Sequence, residues 1–206
     1  MSDEASQLWP ELSGGILAGG RSSRFGSNKA LFAPDGERLI ERAVRLLRPF
    51  CAQVLVSASH ANADAYRFLG LDIVEDLHAD CGPLGGLEAL LTQCATPWMF
   101  ILACDMPYVS SDALLTMAGL PQLSEALGGT IQAFAWKNKI EGSVSPFPLL
   151  IRRSVLPSLQ KQMSTGRLGV KTFLSTLNTY YIPTDSTLLL RNVNRPEDWE
   201  EERITI

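Results

Sequence analysis

The chain has 206 residues, 46% of them hydrophobic and 19% charged, and its 18 Lys and Arg against 22 Asp and Glu leave a net charge of −4. That balance fits one globular domain around one core and excludes disorder, collagen and coiled coil. A bulk basic field is absent, so no nucleic-acid partner is expected.

The opening residues MSDEASQLWPELSG are acidic and polar, with no basic n-region and no apolar h-region. Residues 1–12 read as a flexible tail ahead of a single domain that fills the 206-residue chain. Residues 15–17 are the first strand, entering a Gly, Ser and Arg loop. Apolar positions three and four apart predict a helix over 38–50, stopped by Pro49 and Phe50. Strands follow at 53–57 and 72–75, with a helix over 61–69 between them. A helix is predicted over 85–94, and the strand 98–103 (WMFILA) is so apolar that it belongs at the centre of a sheet. Ser110 or Ser111 caps a helix running to Leu120. Strands at 130–136 and 147–151 flank a turn at 137–139. Helices at 154–163 and 169–177, a strand at 179–182 and a C-terminal helix entered at Asn194-Arg195-Pro196 complete the chain. Strand-sized runs alternating with helical stretches predict an α/β fold with a largely parallel central sheet.

The longest apolar stretches, such as 98–104, are too short for a membrane span of ~20 residues, so no membrane partner is expected. The four cysteines form no C-x-x-C pair and the two His no H-E-x-x-H motif. They read as buried, reduced thiols of a cytoplasmic protein rather than as a zinc site.

Chemistry concentrates in the loop after the first strand, LAGGRSSRFGSNKAL. It leaves the strand at its carboxyl end, where ligands bind in open α/β sheets. Gly19 and Gly20 let backbone N–H groups approach a phosphate, and Arg21, Arg24 and Lys29 supply three positive charges. The P-loop, the dinucleotide fingerprint and the serine-hydrolase elbow all fail against this segment. A solvated turn with incidental charges is the plainer alternative.

Two acidic turns lie after later strands. Asp105, in Cys104-Asp105-Met106-Pro107, ends the most apolar strand and offers the hard oxygen ligands that Mg²⁺ takes. Asp76 ends the third strand and can accept hydrogen bonds from guanine N1–H and N2 or from a ribose hydroxyl. A helix cap or a surface turn is the bland reading of either carboxylate. Gly82-Pro83-Leu84-Gly85-Gly86 opens a helix and lets a base or sugar lie against backbone, or is simply a tight turn.

LAGGRSSRFGSNKAL, VEDLHADCGPLGGLEALL, LACDMPYVS and NVNRPED, in this order, resemble the molybdenum cofactor guanylyltransferase family of nucleotidyltransferases. The resemblance implies a Rossmann-like, three-layer α/β/α fold. It implies transfer of GMP from Mg-GTP to the phosphate of molybdopterin, with pyrophosphate released. Leu17, Ala18, Gly19, Gly20 and Gly86 would line the nucleotide, Lys29 its phosphates, and Ser57 and Asp76 the guanine end. Asp105 would bind Mg²⁺, and Asn192 and Asn194 would lie on the acceptor side. Transient contact with proteins that deliver or receive the cofactor is a further implication. Asn28 stands where the family usually has aspartate, and 137–147 matches poorly.

The expected chemistry is in-line attack by an anionic acceptor phosphate on the α-phosphorus, with Arg21, Arg24, Lys29 and Mg²⁺ on Asp105 stabilising the leaving pyrophosphate. Arg152, Arg153, Lys161, Arg167 and Lys171 form a second basic cluster that either attracts the acceptor or is a solvated surface. Other nucleotidyltransferases, cytidylyl transfer among them, and a non-catalytic GTP-binding module are the competing readings.

Overall fold

A computed structural model describes residues 9, 11–20, 25–78, 81–126 and 128–199. Seven strands lie among them: β1 (Leu12–Leu17), β2 (Gln53–Ala58), β3 (Asp72–Glu75), β4 (Trp98–Ala103), β5 (Ala133–Asn138), β6 (Val144–Arg152) and β7 (Thr179–Thr184). They pair into one sheet in the order β3-β2-β1-β4-β6-β5-β7. All pairings are parallel except those of β6, which runs against both β4 and β5. The sheet is thus largely parallel, with one reversed strand. Every residue of β4 except Ala103 is buried, as its unbroken apolar run requires.

The helices are α1 (Leu39–Leu47), α2 (His60–Ala63), α3 (Pro83–Gln93), α4 (Ser111–Ala118), α5 (Leu120–Ala126), α6 (Leu156–Ser164) and α7 (Val170–Leu174). They cover both faces. A Cβ placed on Gly14 would meet Leu47 and Cys51 on the α1 side, and one on Gly15 would meet Leu90 of α3. Successive strand residues point to opposite faces, so these two glycines mark the three layers. α3 begins abruptly because Gly82 takes φ +58° and ψ −147°, a region open only to glycine, and Pro83 then fills the first turn. Among the described residues no helix is long and apolar enough to cross a membrane.

Several boundaries depart from the expected ones. β1 starts at Leu12, which the tail was expected to include, and Trp9 packs on the core. The stretch 61–69 is one α-turn, α2, followed by a 3₁₀ segment, Asp64–Leu69. Its buried residues Ala63 and Tyr66 stand three apart, the period of a 3₁₀ turn. The helix expected to reach Leu120 stops at Ala118, and Pro121 sits in the first turn of a separate helix, α5. β5 continues through the predicted turn to Asn138, whose Oδ1 accepts from Ile140 N and Glu141 N and displaces the turn to 139–143. α7 ends at Leu174 because the hydroxyls of Thr176 and Thr179 take the carbonyls of Phe173 and Leu174, each at 2.7 Å. The C-terminal helix is a single 3₁₀ turn, Pro196–Asp198, because Asp198 Oδ2 accepts from both Asn194 N and Arg195 N at 2.8 Å. Cys81, expected to be buried, is only partly so.

Gly15→Ala tests the tight middle layer. Its Cβ would sit 2.9 Å from Leu90 Cδ1 and 3.0 Å from Ile101 Cδ1. Overpacking of this kind costs about 1–3 kcal/mol, so the midpoint of urea unfolding should fall; an unchanged midpoint would show that the layer can open.

Candidate active site

The order of the strands places a crevice at one edge. From β1 the chain moves outward to β2 and β3, then returns to β4 on the other side of β1. At such a reversal the loops leaving the carboxyl ends of the two central strands diverge and leave room for a ligand. Leu17 is level with both Ser57 and Ala103 at this edge.

Single hydrogen bonds carry the ladder one step past the strands. Ala18 N donates to Ser57 O (2.9 Å), Asp76 N to Ala58 O (3.0 Å) and Cys104 N to Leu17 O (3.2 Å). Ala18, Asp76 and Cys104, the residue before Asp105, are therefore the first beyond the sheet, with backbones already fastened.

Lys29 returns to this edge at the far end of the glycine-arginine loop. Asn28 caps the short 3₁₀ turn Lys29–Leu31 by accepting from Ala30 N at 3.1 Å. Lys29 Nζ reaches Asp105 Oδ2 at 2.6 Å, with only 16% and 17% of the two side chains exposed. Asn194 Oδ1 is 3.4 Å from the same ammonium. The other carboxylate oxygen, Asp105 Oδ1, is buried and has no hydrogen-bond partner among the described residues. Cys104, beside it, has its thiol pushed up to about 12, by burial first and then by the Asp105 charge. It is a protonated spacer, not a nucleophile.

The late asparagines arrive on a strap. Val193 N donates to Asp105 O at 2.8 Å, and the Val193 side chain is fully buried. Trp199 fastens the end of the strap, stacked on Tyr108 at 5.9 Å and approached by the Arg42 guanidinium at 5.5 Å. Asn194 thus joins Lys29, while Asn192 is exposed on the same segment.

Asp76 forms the second pole of the crevice. Ser57 Oγ donates to Asp76 Oδ1 at 2.6 Å. Asp76 Oδ2 lies 2.7 Å from where a Cβ of Gly19 would be, and Ser57 Oγ 2.5 Å from a Cβ of Gly86. Both glycines are required by close approach. Ser57 is 1% exposed, so it acts on Asp76 rather than on a ligand directly. Among the described residues no atom lies within 4 Å of the Cβ position of Gly20. Arg21 and Arg24 lie outside the described residues.

The second basic cluster fails as an acceptor site at its first two members. β6 runs antiparallel, so Arg152 is level with Trp98 at the opposite edge of the sheet. There it pairs with Glu125 and lies over the Trp98 ring, and Arg153 N bonds to Pro97 O. Conversely, Tyr66, Tyr108, Asp198 and Trp199 were not foreseen. Each works through a partner at least 38 residues away in the chain or through backbone, and no local pattern announces that.

Comparison with known proteins bears on the family and the fold. The family model for the MobA-like NTP transferase domain matches residues 14–180. The chain is 31% identical to a probable molybdenum cofactor guanylyltransferase of Carboxydothermus hydrogenoformans, over 90% of this chain and 92% of that one. A protein of the same description from Chloroflexus aggregans is 32% identical, with 91% of each chain covered. The crystal structure of molybdopterin-guanine dinucleotide biosynthesis protein A from Archaeoglobus fulgidus shares the fold, with a TM-score of 0.72 at 23% identity over 90% of this chain and 94% of that one.

Gly86→Ala probes the Asp76 pole. The new methyl would drive into Ser57 Oγ and, at 2.8 Å, into Leu17 Cδ2. Losing the ordered hydroxyl–carboxylate bond, worth about 1.5–3 kcal/mol, should weaken nucleoside triphosphate binding at least tenfold by calorimetry. Unchanged affinity would remove Asp76 from the site.

Proposed function

The chain belongs to the MobA-like NTP transferase family and is a nucleotidyltransferase, and from that premise we propose that it transfers GMP from GTP to the phosphate of molybdopterin. The relatives at 31% and 32% identity, matched over most of their length, support this choice of donor and acceptor. One observation carries the mechanism: the Lys29–Asp105 pair at 2.6 Å, with the second Asp105 oxygen buried and without a hydrogen-bond partner among the described residues, at the carboxyl edge of the central strands.

An acceptor phosphate oxygen is already anionic near neutral pH and needs no strong general base. It forms a new bond to the α-phosphorus as the bond from that phosphorus to the bridging β-phosphate oxygen breaks, and pyrophosphate leaves with the electron pair. The main obstacle is bringing polyanions together, so positioning and charge supply the catalysis. Lys29 screens the phosphates. Asp76, held by Ser57, accepts from the guanine edge or the ribose, and Gly19 and Gly20 let the nucleotide lie against backbone. Arg21 and Arg24 complete the cationic loop, and Asn192 and Asn194 face the acceptor.

The residues present fit a Mg²⁺ that arrives with the triphosphate. Asp105 Oδ1 is a hard, buried oxygen in want of a partner. Among the described residues no group of three or more His, Cys, Asp or Glu is placed to hold a metal alone, and Mg²⁺ is commonly held by one or two carboxylates together with substrate phosphates. Asp105 would hold it, and the ion would neutralise charge developing on the leaving group. The proposal includes a cytoplasmic setting, in keeping with four free cysteines, and transient contact with proteins that deliver or accept the cofactor.

Pyrophosphate release on mixing GTP, Mg²⁺ and molybdopterin tests the reading. Asp105→Ala should lower the rate at least about a hundredfold with the fold intact, and Lys29→Ala at least about tenfold, as befits a charged phosphate contact. Near-normal turnover of Asp105→Ala would remove the metal assignment, and tighter binding of CTP than of GTP would overturn the choice of donor.

A further inference from the structure

Tyr66 has no part in the transfer chemistry, yet its side chain is wholly buried and its hydroxyl touches the residues at both ends of the glycine-arginine loop. That hydroxyl is 3.1 Å from Ala18 O and 3.0 Å from Asn28 Oδ1. The two acceptors bracket the loop: Ala18 precedes Gly19, and Asn28 precedes Lys29. Each is itself anchored, Ala18 by its N–H on Ser57 O and Asn28 by the Ala30 N–H on its side-chain oxygen. A phenol has one proton to donate, and with both oxygens within hydrogen-bond reach the hydroxyl forks between them. Burial pushes the phenol up to about 12, which keeps it a neutral donor throughout the working range. A phenylalanine would fill the same apolar space without bringing a polar group into the core, where an unpaired hydroxyl is costly. The hydroxyl therefore points to a purpose beyond packing.

We infer that Tyr66 is a positioning residue: by tying Ala18 to Asn28 it sets the separation between Gly19, at the Asp76 pole, and Lys29, at the Asp105 pole. The inference rests on the reading that a nucleotide spans those poles, base end at Asp76 and phosphates at Lys29. It also gives Asn28 a role, since its side-chain oxygen both caps the turn that presents Lys29 and receives the tie.

A ligand that reaches only one pole does not sense the separation, whereas one that spans both does. The test is calorimetric titration of wild type, Tyr66→Phe, Asn28→Ala and the double variant with guanosine and with Mg-GTP, well below each melting temperature. Tyr66→Phe should weaken Mg-GTP about tenfold and leave guanosine within twofold. Asn28→Ala should show the same selective loss, and the double variant should be no worse than the poorer single variant. A role in stability alone would lower the melting temperature and leave the ratio of the two affinities unchanged. That result, or equal weakening of both ligands, or losses that multiply in the double variant, would overturn the inference. Wild type that binds Mg-GTP but transfers nothing would sink the transferase reading and leave Tyr66 to be judged on the ratio; wild type that binds no Mg-GTP would overturn both.

Discussion

The site turns on one carboxylate whose two oxygens are treated differently. Asp105 gives Oδ2 to Lys29 and leaves Oδ1 buried and unmatched among the described residues. A mostly buried ion pair is a weak source of stability, because desolvation offsets much of the attraction, and a buried acceptor without a donor is a net cost. Neither would persist for the sake of the fold alone. Both are what the proposed function asks for: under it the lysine would turn to a phosphate, and the second oxygen would take the metal. Under that proposal, stability given up at this edge would become affinity for the ligand.

The fold supplies the precision. Ala18, Asp76 and Cys104 stand one hydrogen bond past the strands, and Val193 is bonded to the Asp105 carbonyl. Four segments distant in sequence thus reach the crevice on backbone already fixed by the sheet or its continuation. Glycine is needed where side chains would collide, at Gly19 beside Asp76 and at Gly86 beside Ser57. Little reorganisation is then left to the moment of reaction, which is the main means available to an enzyme that joins two anions. The strap ending in Trp199 extends this precision to the late asparagines by seating Asn194 against Lys29.

The sequence disclosed the parts of this site that depend on residue type and local spacing. LAGG followed by Lys29, and aspartates directly after apolar strands, are short-range patterns that residue type and spacing alone make visible. The parallel core was legible for the same reason, from WMFILA and the helical periodicity around it. Long-range chemistry was not. Ser57 looked like a ligand contact and is a buried support for Asp76. Tyr66 looked like part of an ordinary helix and is a buried tie. Arg152 and Arg153 read equally as an acceptor site or a solvated surface, because charge density is visible in a sequence and strand direction is not; the reversal of β6 carries Arg152 to the opposite edge. Asn28, conspicuous as a departure, proves to be a cap, a task an amide oxygen performs well.

The most direct test is a crystal structure of the chain with Mn²⁺ and a non-hydrolysable GTP analogue, with the metal placed by its anomalous signal. Mn²⁺ should bind Asp105 Oδ1 and the triphosphate together, with Lys29 turned from Asp105 to the phosphates and the guanosine against Gly19 and Asp76. Nucleotide bound elsewhere, or metal seated away from Asp105 while the Lys29 pair stays closed, would contradict the account.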